Sequence, residues 1–348
     1  MNSDDFLRGR VSRPYDQRPL AQPARHAVPQ KSSPVNASHS AGRPRPVTGW
    51  RRTLASATLG LVNLGPSRAE LEEAAAAAAV RALPRGSYKV GVLGKGGVGK
   101  TTVAASVGSV FAALRRTDHV VAVDADTAFG RLGSRIDPRA TSSFWDLAAG
   151  REAPSFAEIS SRVVGANAAG LYVLVGEPAA GRGRTLDAAL YREALLRLDR
   201  HFAISIIDCG STMDSPVTQE ALRDLDALIL VSSPWADGAG AAAKTMEWLA
   251  ERGQGGLLQR TVVVLNDSDG HADKRTRSAL AAQFVQRGRA VVEVPFDPHL
   301  RPGGVIDVMR EMSPQTRGRF LHIAALVSTF FAARPGRRAR GPGPAQST

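Results

Sequence analysis

From Tyr88 onward the chain alternates between short runs of β-branched apolar residues and longer stretches in which apolar positions recur every three or four residues. Short, almost uninterrupted apolar runs are the pattern of strands buried on both faces, whereas the wider spacing fits one side of a helix. The runs predict strands at residues 88–93, 120–123, 171–175, 203–207, 227–231, 261–265 and 290–294. The intervals leave room for crossover helices, for instance at 100–114, 239–250 and 274–286. This rhythm predicts a three-layer α/β fold, a mostly parallel sheet flanked by helices on both faces. No internal repeat is evident.

Outside this region the pattern changes. Residues 1–48 are rich in Pro, Arg, Ser and Gln without apolar periodicity, so they are expected to be disordered. Residues 49–85 read as a helical extension: Gly65-Pro66 precedes Ser67, and Glu70 three places on completes a capping box. The alanine-rich stretch from Leu71 to Val80 propagates that helix, and Pro84 and Gly86 stop it. The main domain is expected over 86–333. In its last segment, Phe320, Ile323, Val327 and Phe330 recur at helical spacing, and their Ala/Ser/Thr opposite face favours a core helix over a membrane-surface anchor. Residues 334–348 return to Pro, Gly and Arg and are expected to be a disordered basic tail.

Charge looks informative until it is located. The net +13 is concentrated at the ends: residues 1–53 hold ten basic side chains against three acids, and residues 334–348 hold four arginines and no acid. That leaves about two positive charges for everything between, so the basicity belongs to the tails. The lone cysteine, Cys209, excludes a disulfide framework and suits a reducing, cytoplasmic setting. No apolar leader opens the chain and no run reaches the roughly 18 apolar residues of a membrane span. Association with a membrane is expected only peripherally, through a partner.

The chemistry begins at the end of the first predicted strand. Gly94-Lys95-Gly96-Gly97-Val98-Gly99-Lys100-Thr101 fits the phosphate-loop pattern and lies between a predicted strand and a predicted helix, where the mechanism needs it. Glycines let successive N–H groups turn inward to phosphate oxygens, and the helix start adds its positive dipole end. Lys100 is expected to reach the β and γ phosphates, Thr101 to ligate Mg²⁺, and Thr102 to continue the phosphate contacts. Asp124 and Asp126 close the second strand, and Asp208 ends the apolar run 203–207 as a magnesium-side carboxylate. Cys209 beside it reads as a packing residue.

Lys95 within the loop makes it resemble the KGGxGKT form of the MinD/ParA family of P-loop ATPases. That resemblance implies ATP and Mg²⁺ as ligands and a homodimer with ATP sandwiched between copies, Lys95 reaching the partner's nucleotide. It further implies that Asp124 holds the Mg²⁺ shell, that Asp126 positions the attacking water, and that Asn266 contacts adenine. Pro295, Phe296 and Asp297 are similar to the family's later nucleotide-side loop. The Asn266-Asp267-Ser268-Asp269 stretch also has the spacing of a guanine-reading motif, but Asp267 replaces its lysine, so ATP is favoured over GTP.

A narrower resemblance, to the EspI-like ATPases associated with type VII secretion, runs from about Gly49 to Arg334. It rests on Gly49-Trp50-Arg51-Arg52, Asn63-Leu64-Gly65, the lead-in Pro84-Arg85-Gly86-Ser87-Tyr88, Asp208-Cys209-Gly210 with Pro216-Val217-Thr218, and residues 291–294 running into Pro295. It implies a regulatory ATPase serving a secretion-system component. Two rivals remain: a ParA-like positioning ATPase binding DNA non-specifically through the tails and Arg301, Arg310, Arg317 and Arg319, and a MinD-like membrane switch using residues 319–333. The family's D-x-D-P-x-x-G-N becomes Asp124-Ala125-Asp126-Thr127-Ala128-Phe129-Gly130-Arg131, and Thr212 stands where a glycine often follows Asp208. These departures in the switch regions predict slow hydrolysis.

Overall fold

The computed structural model describes residues 56–58, 65–126, 130–150, 155–162, 165–176 and 185–333. The expected tails at 1–48 and 334–348, together with Thr127, Ala128 and Phe129, lie outside these residues. Seven strands form one parallel sheet: β1 (Tyr88–Gly94), β2 (Val120–Ala125), β3 (Leu171–Leu174), β4 (Ile204–Cys209), β5 (Ala227–Ser232), β6 (Thr261–Asn266) and β7 (Ala290–Val294). Their order across the sheet is β3-β2-β4-β1-β5-β6-β7. All seven runs read from the hydrophobic pattern are strands, six of them displaced at an end by a residue or two and the last, 290–294, matched at both ends. β4 takes Asp208 into the ladder between Val92 of β1 and Asp124 of β2, and β2 takes in Asp124 through its pairing with β4 alone, its register with β3 ending at Val123.

The helices are α1 (Arg68–Arg81), α2 (Lys100–Leu114), α3 (Leu132–Ile136), α4 (Phe144–Ala148), α5 (Phe156–Arg162), α6 (Ala188–Leu198), α7 (Pro216–Asp224), α8 (Ala236–Glu251), α9 (Gly255–Gln259), α10 (Lys274–Gln286) and α11 (Pro314–Ala332). Strand alternation splits the interior in two. Val90, Val92, Ala122, Ile206, Ile229 and Val264 face a core shared with α1, α2, α3 and α11. Leu93, Val123, Ile207, Leu230 and Leu265 face the opposite core, shared with α4 to α10.

The capping box of α1 is formed, Ser67 Oγ accepting from the Glu70 N–H at 3.2 Å and Glu70 accepting from the Ser67 N–H at 2.7 Å. At the far end, buried Arg115 donates to the carbonyls of Val80, Arg81 and Leu83, so one guanidinium satisfies the last turn of α1 and also pairs with Asp118. The terminal helix α11 packs against α1, α2 and the sheet. Phe320, Ile323 and Val327 are fully buried and Phe330 is half-buried, so the stripe considered for a membrane surface belongs to the core. No helix among the described residues is long and apolar enough to cross a membrane. Trp145 is half-buried against the second core on α4, a helix started by a Ser143–Asp146 capping box.

Candidate functional site

The site forms where β1 leaves the centre of the sheet. Gly94 to Gly99 turn back over the strand ends, and α2 begins at Lys100. Gly99, the residue before α2, has φ 91°, and a Cβ there would lie 2.4 Å from the Asn266 Nδ2. A side chain at this position would be strained twice over, by backbone and by neighbour. Lys100 is buried and donates to the Lys95 carbonyl at 3.3 Å, which aims its stem along the inside of the loop.

Register then does what spacing along the chain could not. Asp124 pairs with Asp208 across β2 and β4, and Asp208 also pairs with Val92 of β1, which puts both carboxylates at one level beside the loop. Each is 1% exposed. Asp124 accepts the Leu132 N–H at 3.0 Å and the Asp126 N–H at 3.3 Å. Burial, reinforced by the charge of Asp208, pushes its carboxyl up to about 8 against those N–H bonds. Burial likewise pushes Asp208 up to about 7, against a hydrogen bond from Thr101 and the nearby charge of Lys100. The Oδ1 of Asp208 is buried with no hydrogen-bond partner. A buried carboxylate oxygen left unpaired is costly, and a cation or its water is the ordinary way to satisfy it.

A Cβ on Gly130 would fall 2.6 Å from Asp124 Oδ2, so absence of a side chain is what lets Gly130 lie against the carboxylate. Asp126 is half-buried nearby; a Cβ on Gly210 would lie 3.3 Å from its Oδ1. Cys209 is fully buried, and burial raises its thiol to about 12, so it is an inert packing residue.

On the other side of the loop a cavity of about 90 Å³ is lined by Gly99, Thr102, Asn266, Pro295, Phe296 and Asp297, with Asp267, Ser268, Leu300 and Arg301 completing the wall. Asn266 donates to the Val98 carbonyl at 2.9 Å, tying the end of β6 to the loop. The Asp297 carboxylate accepts the N–H groups of His299 and Ser313 at 3.1 and 3.0 Å. Burial opposes its ionisation, but hydrogen bonds from Ser313, Thr316 and His299 outweigh that and hold its pKa low, so its side chain builds the start of α11. Asp269, which a guanine reading requires, does not line the cavity; its carboxylate accepts from the Ser268 hydroxyl at 3.0 Å.

Lys95 is half-exposed and pairs in its own chain with Asp237, in the first turn of α8, at 2.8 Å. Neither Asp237 nor Gly130 was singled out in the sequence, and neither was Arg135, whose buried guanidinium meets Thr102 from behind. A glycine after the acidic turn was a weak signal; the other two depend on distant chain and had none. Arg301, Arg310 and Arg319 are exposed, and Arg317 is half-buried.

Residues 91–302 match the CbiA family, the CobQ/CobB/MinD/ParA nucleotide-binding domain. The chain is 33% identical over 294 residues to the ESX-1 secretion-associated protein EspI of Mycobacterium tuberculosis, in strains CDC 1551 and H37Rv. The match takes in 83% of this chain and 43% of that protein, so the chain spans less than half the length of these relatives. Among solved structures it is similar to the cell division ATPase MinD of Pyrococcus furiosus, with TM-score 0.51 and 19% identity over 70% of this chain and 99% of that one. MinD in the MinC:MinD complex of Aquifex aeolicus gives TM-score 0.51 and 18% identity over 71% and 96%. Likeness this distant speaks for the fold, while the domain match covers most of the chain: the protein belongs to the CobQ/CobB/MinD/ParA nucleotide-binding domain family.

Proposed function

We propose that this protein is a Mg·ATP-binding, slowly hydrolysing ATPase that works as a nucleotide-dependent dimeric switch serving a type VII secretion system. One observation carries the nucleotide reading: the unpartnered Asp208 Oδ1, buried beside Thr101 at the foot of a glycine-rich loop. The donor set fits magnesium, since Thr101, Asp124 and Asp208 supply hard oxygens. Among the described residues no three acidic, histidine or cysteine side chains cluster to hold a metal ion, so phosphate and water would have to complete the shell of an ion held there. When bound, the ion neutralises charge on the β and γ phosphates.

The chain's own residues do the rest. Loop N–H groups and Lys100 grip the phosphates, and Asp126 orients the attacking water. Phe296 offers a ring to the base, and the Asp267–Gly270 turn keeps Asp269 from the guanine edge, which supports ATP. Lys95, released from Asp237, would contact the nucleotide of a second copy and act there as a fixed positive charge. Likeness to a secretion-associated relative supports the cellular role.

Calorimetry with Mg·ATP and Mg·GTP tests binding; no heat with either, or unchanged heat in Lys100→Ala, would refute it. Light scattering tests the switch: wild-type mass should double with ATP, Lys100→Ala should bind nothing, and Lys95→Ala should bind yet stay monomeric. DNA binding that depends on ATP and falls steeply with salt would instead make it a positioning ATPase.

A further inference from the structure

Arg135 is 6% exposed and makes four hydrogen bonds to two distant parts of the chain. Its Nη2 donates to Thr102 Oγ1 at 2.9 Å and to the Leu300 carbonyl at 3.1 Å, and its Nη1 donates to the Gly304 carbonyl at 2.8 Å. Its own carbonyl accepts the Ile306 N–H at 2.9 Å. Helix α3 is thereby fastened to the first turn of α2 and to the segment that follows Pro295, Phe296 and Asp297 along the base-side cavity.

Two consequences follow from the chemistry of the groups. A guanidinium only donates, so the Thr102 oxygen is held as an acceptor and its hydroxyl proton must point elsewhere. Among the hydrogen bonds of the described residues Thr102 Oγ1 takes part only as the acceptor from Arg135, and Thr102 lines the cavity next to Gly99 and Asn266. Arg135 also has no carboxylate partner among the described residues, all its acceptors being neutral. A buried cation without a counter-charge favours an anion nearby.

We infer that Arg135 is a positioning residue that fixes Thr102 as a hydroxyl donor to the phosphate nearest the nucleoside and holds the base-side segment against it. This rests on the nucleotide reading and deepens it. The contact is made to a diphosphate as well as to a triphosphate, so it serves retention of nucleotide in both states of the switch. In that reading Lys95 and Asp126, by contrast, are the residues assigned to the γ-phosphate.

Calorimetric titration of Mg·ADP and Mg·ATP into the full chain tests the inference. Thr102→Val should weaken both by about tenfold, the loss of one hydrogen bond to a charged group, and Thr102→Ser should restore both. Arg135→Met should lose at least as much for each nucleotide, and adding Thr102→Val to it should cost less than about twofold more, because the hydroxyl is no longer directed. Thermal unfolding of each variant identifies any that has failed to fold, and Thr102→Val remains decisive if Arg135→Met does. Wild-type affinity in Thr102→Val, losses confined to ATP, or fully additive effects would overturn the inference while leaving the site intact. Wild-type protein that takes up neither nucleotide would overturn the nucleotide reading, and this inference with it.

Discussion

Asp124→Asn should make the nucleotide-free protein more stable relative to wild type as pH rises. The native carboxyl is pushed up to about 8 by burial and by Asp208, whereas its ordinary value is 3.8. Between those values the native state keeps a proton that the unfolded chain has released, so each rise in pH favours unfolding. The full effect for one group is about 1.4 kcal/mol per pH unit, or ~2.5 kcal/mol between pH 5.5 and 7.5. Halving this for relaxation and water access leaves about 1 kcal/mol, which is roughly 2–4 °C for a domain of this size. Asparagine keeps an acceptor for the Leu132 N–H, while its amide meets the Asp126 N–H badly. That penalty does not vary with pH, so it drops out of the slope. The assay is thermal unfolding of both proteins without magnesium or nucleotide at pH 5.5, 6.5 and 7.5. The variant's melting temperature, relative to wild type, should climb by about 2–4 °C across the series. A flat difference, or one that falls, would show that Asp124 is ionised in the empty native site and would refute the reasoning.

Three further outcomes test other parts of the structure. Gly130→Ala puts a methyl group 2.6 Å from Asp124 Oδ2, so Asp124 must move; magnesium-dependent nucleotide affinity should fall at least tenfold in calorimetry, and an unchanged value would refute the close approach. Arg115→Ala strips three carbonyls at the end of α1 of their donor and leaves Asp118 unpaired; urea unfolding should show a loss of about 3 kcal/mol, and an unmoved midpoint would mean that α1 holds by packing alone. Asp237→Asn frees Lys95 from an exposed pair, so the ATP concentration needed for dimerisation should drop by no more than about fivefold in light scattering, and a rise would mean that Asp237 itself supports the dimer.

Local features were legible because their physics is local. Apolar runs marked all seven strands, Ser67 and Glu70 announced their own capping box, and residues Gly94 to Thr101 carry a turn, a helix start and a lysine within one short loop. The terminal stripe of α11 was read as core from the composition of its opposite face, and burial of Phe320 and Ile323 bears that out. Strand ends were less legible, since Asp124 and Asp208 are poor strand residues by themselves and enter the ladder only by pairing with distant chain, Asp208 with β1 and β2 and Asp124 with β4.

The sequence by itself thus determined the fold class, the phosphate loop and the acidic residues at the strand ends, each through a periodicity or a spacing a few residues long. Tertiary structure alone decided which of them meet. Sheet order sets Asp124 beside Asp208 although 84 positions separate them, and the return of the segment after β7 brings Leu300 and Gly304 onto Arg135. The physical reason is that a buried polar group is defined by its partners: the raised pKa of Asp124, the spare oxygen of Asp208 and the directed hydroxyl of Thr102 exist only once distant chain has removed the water.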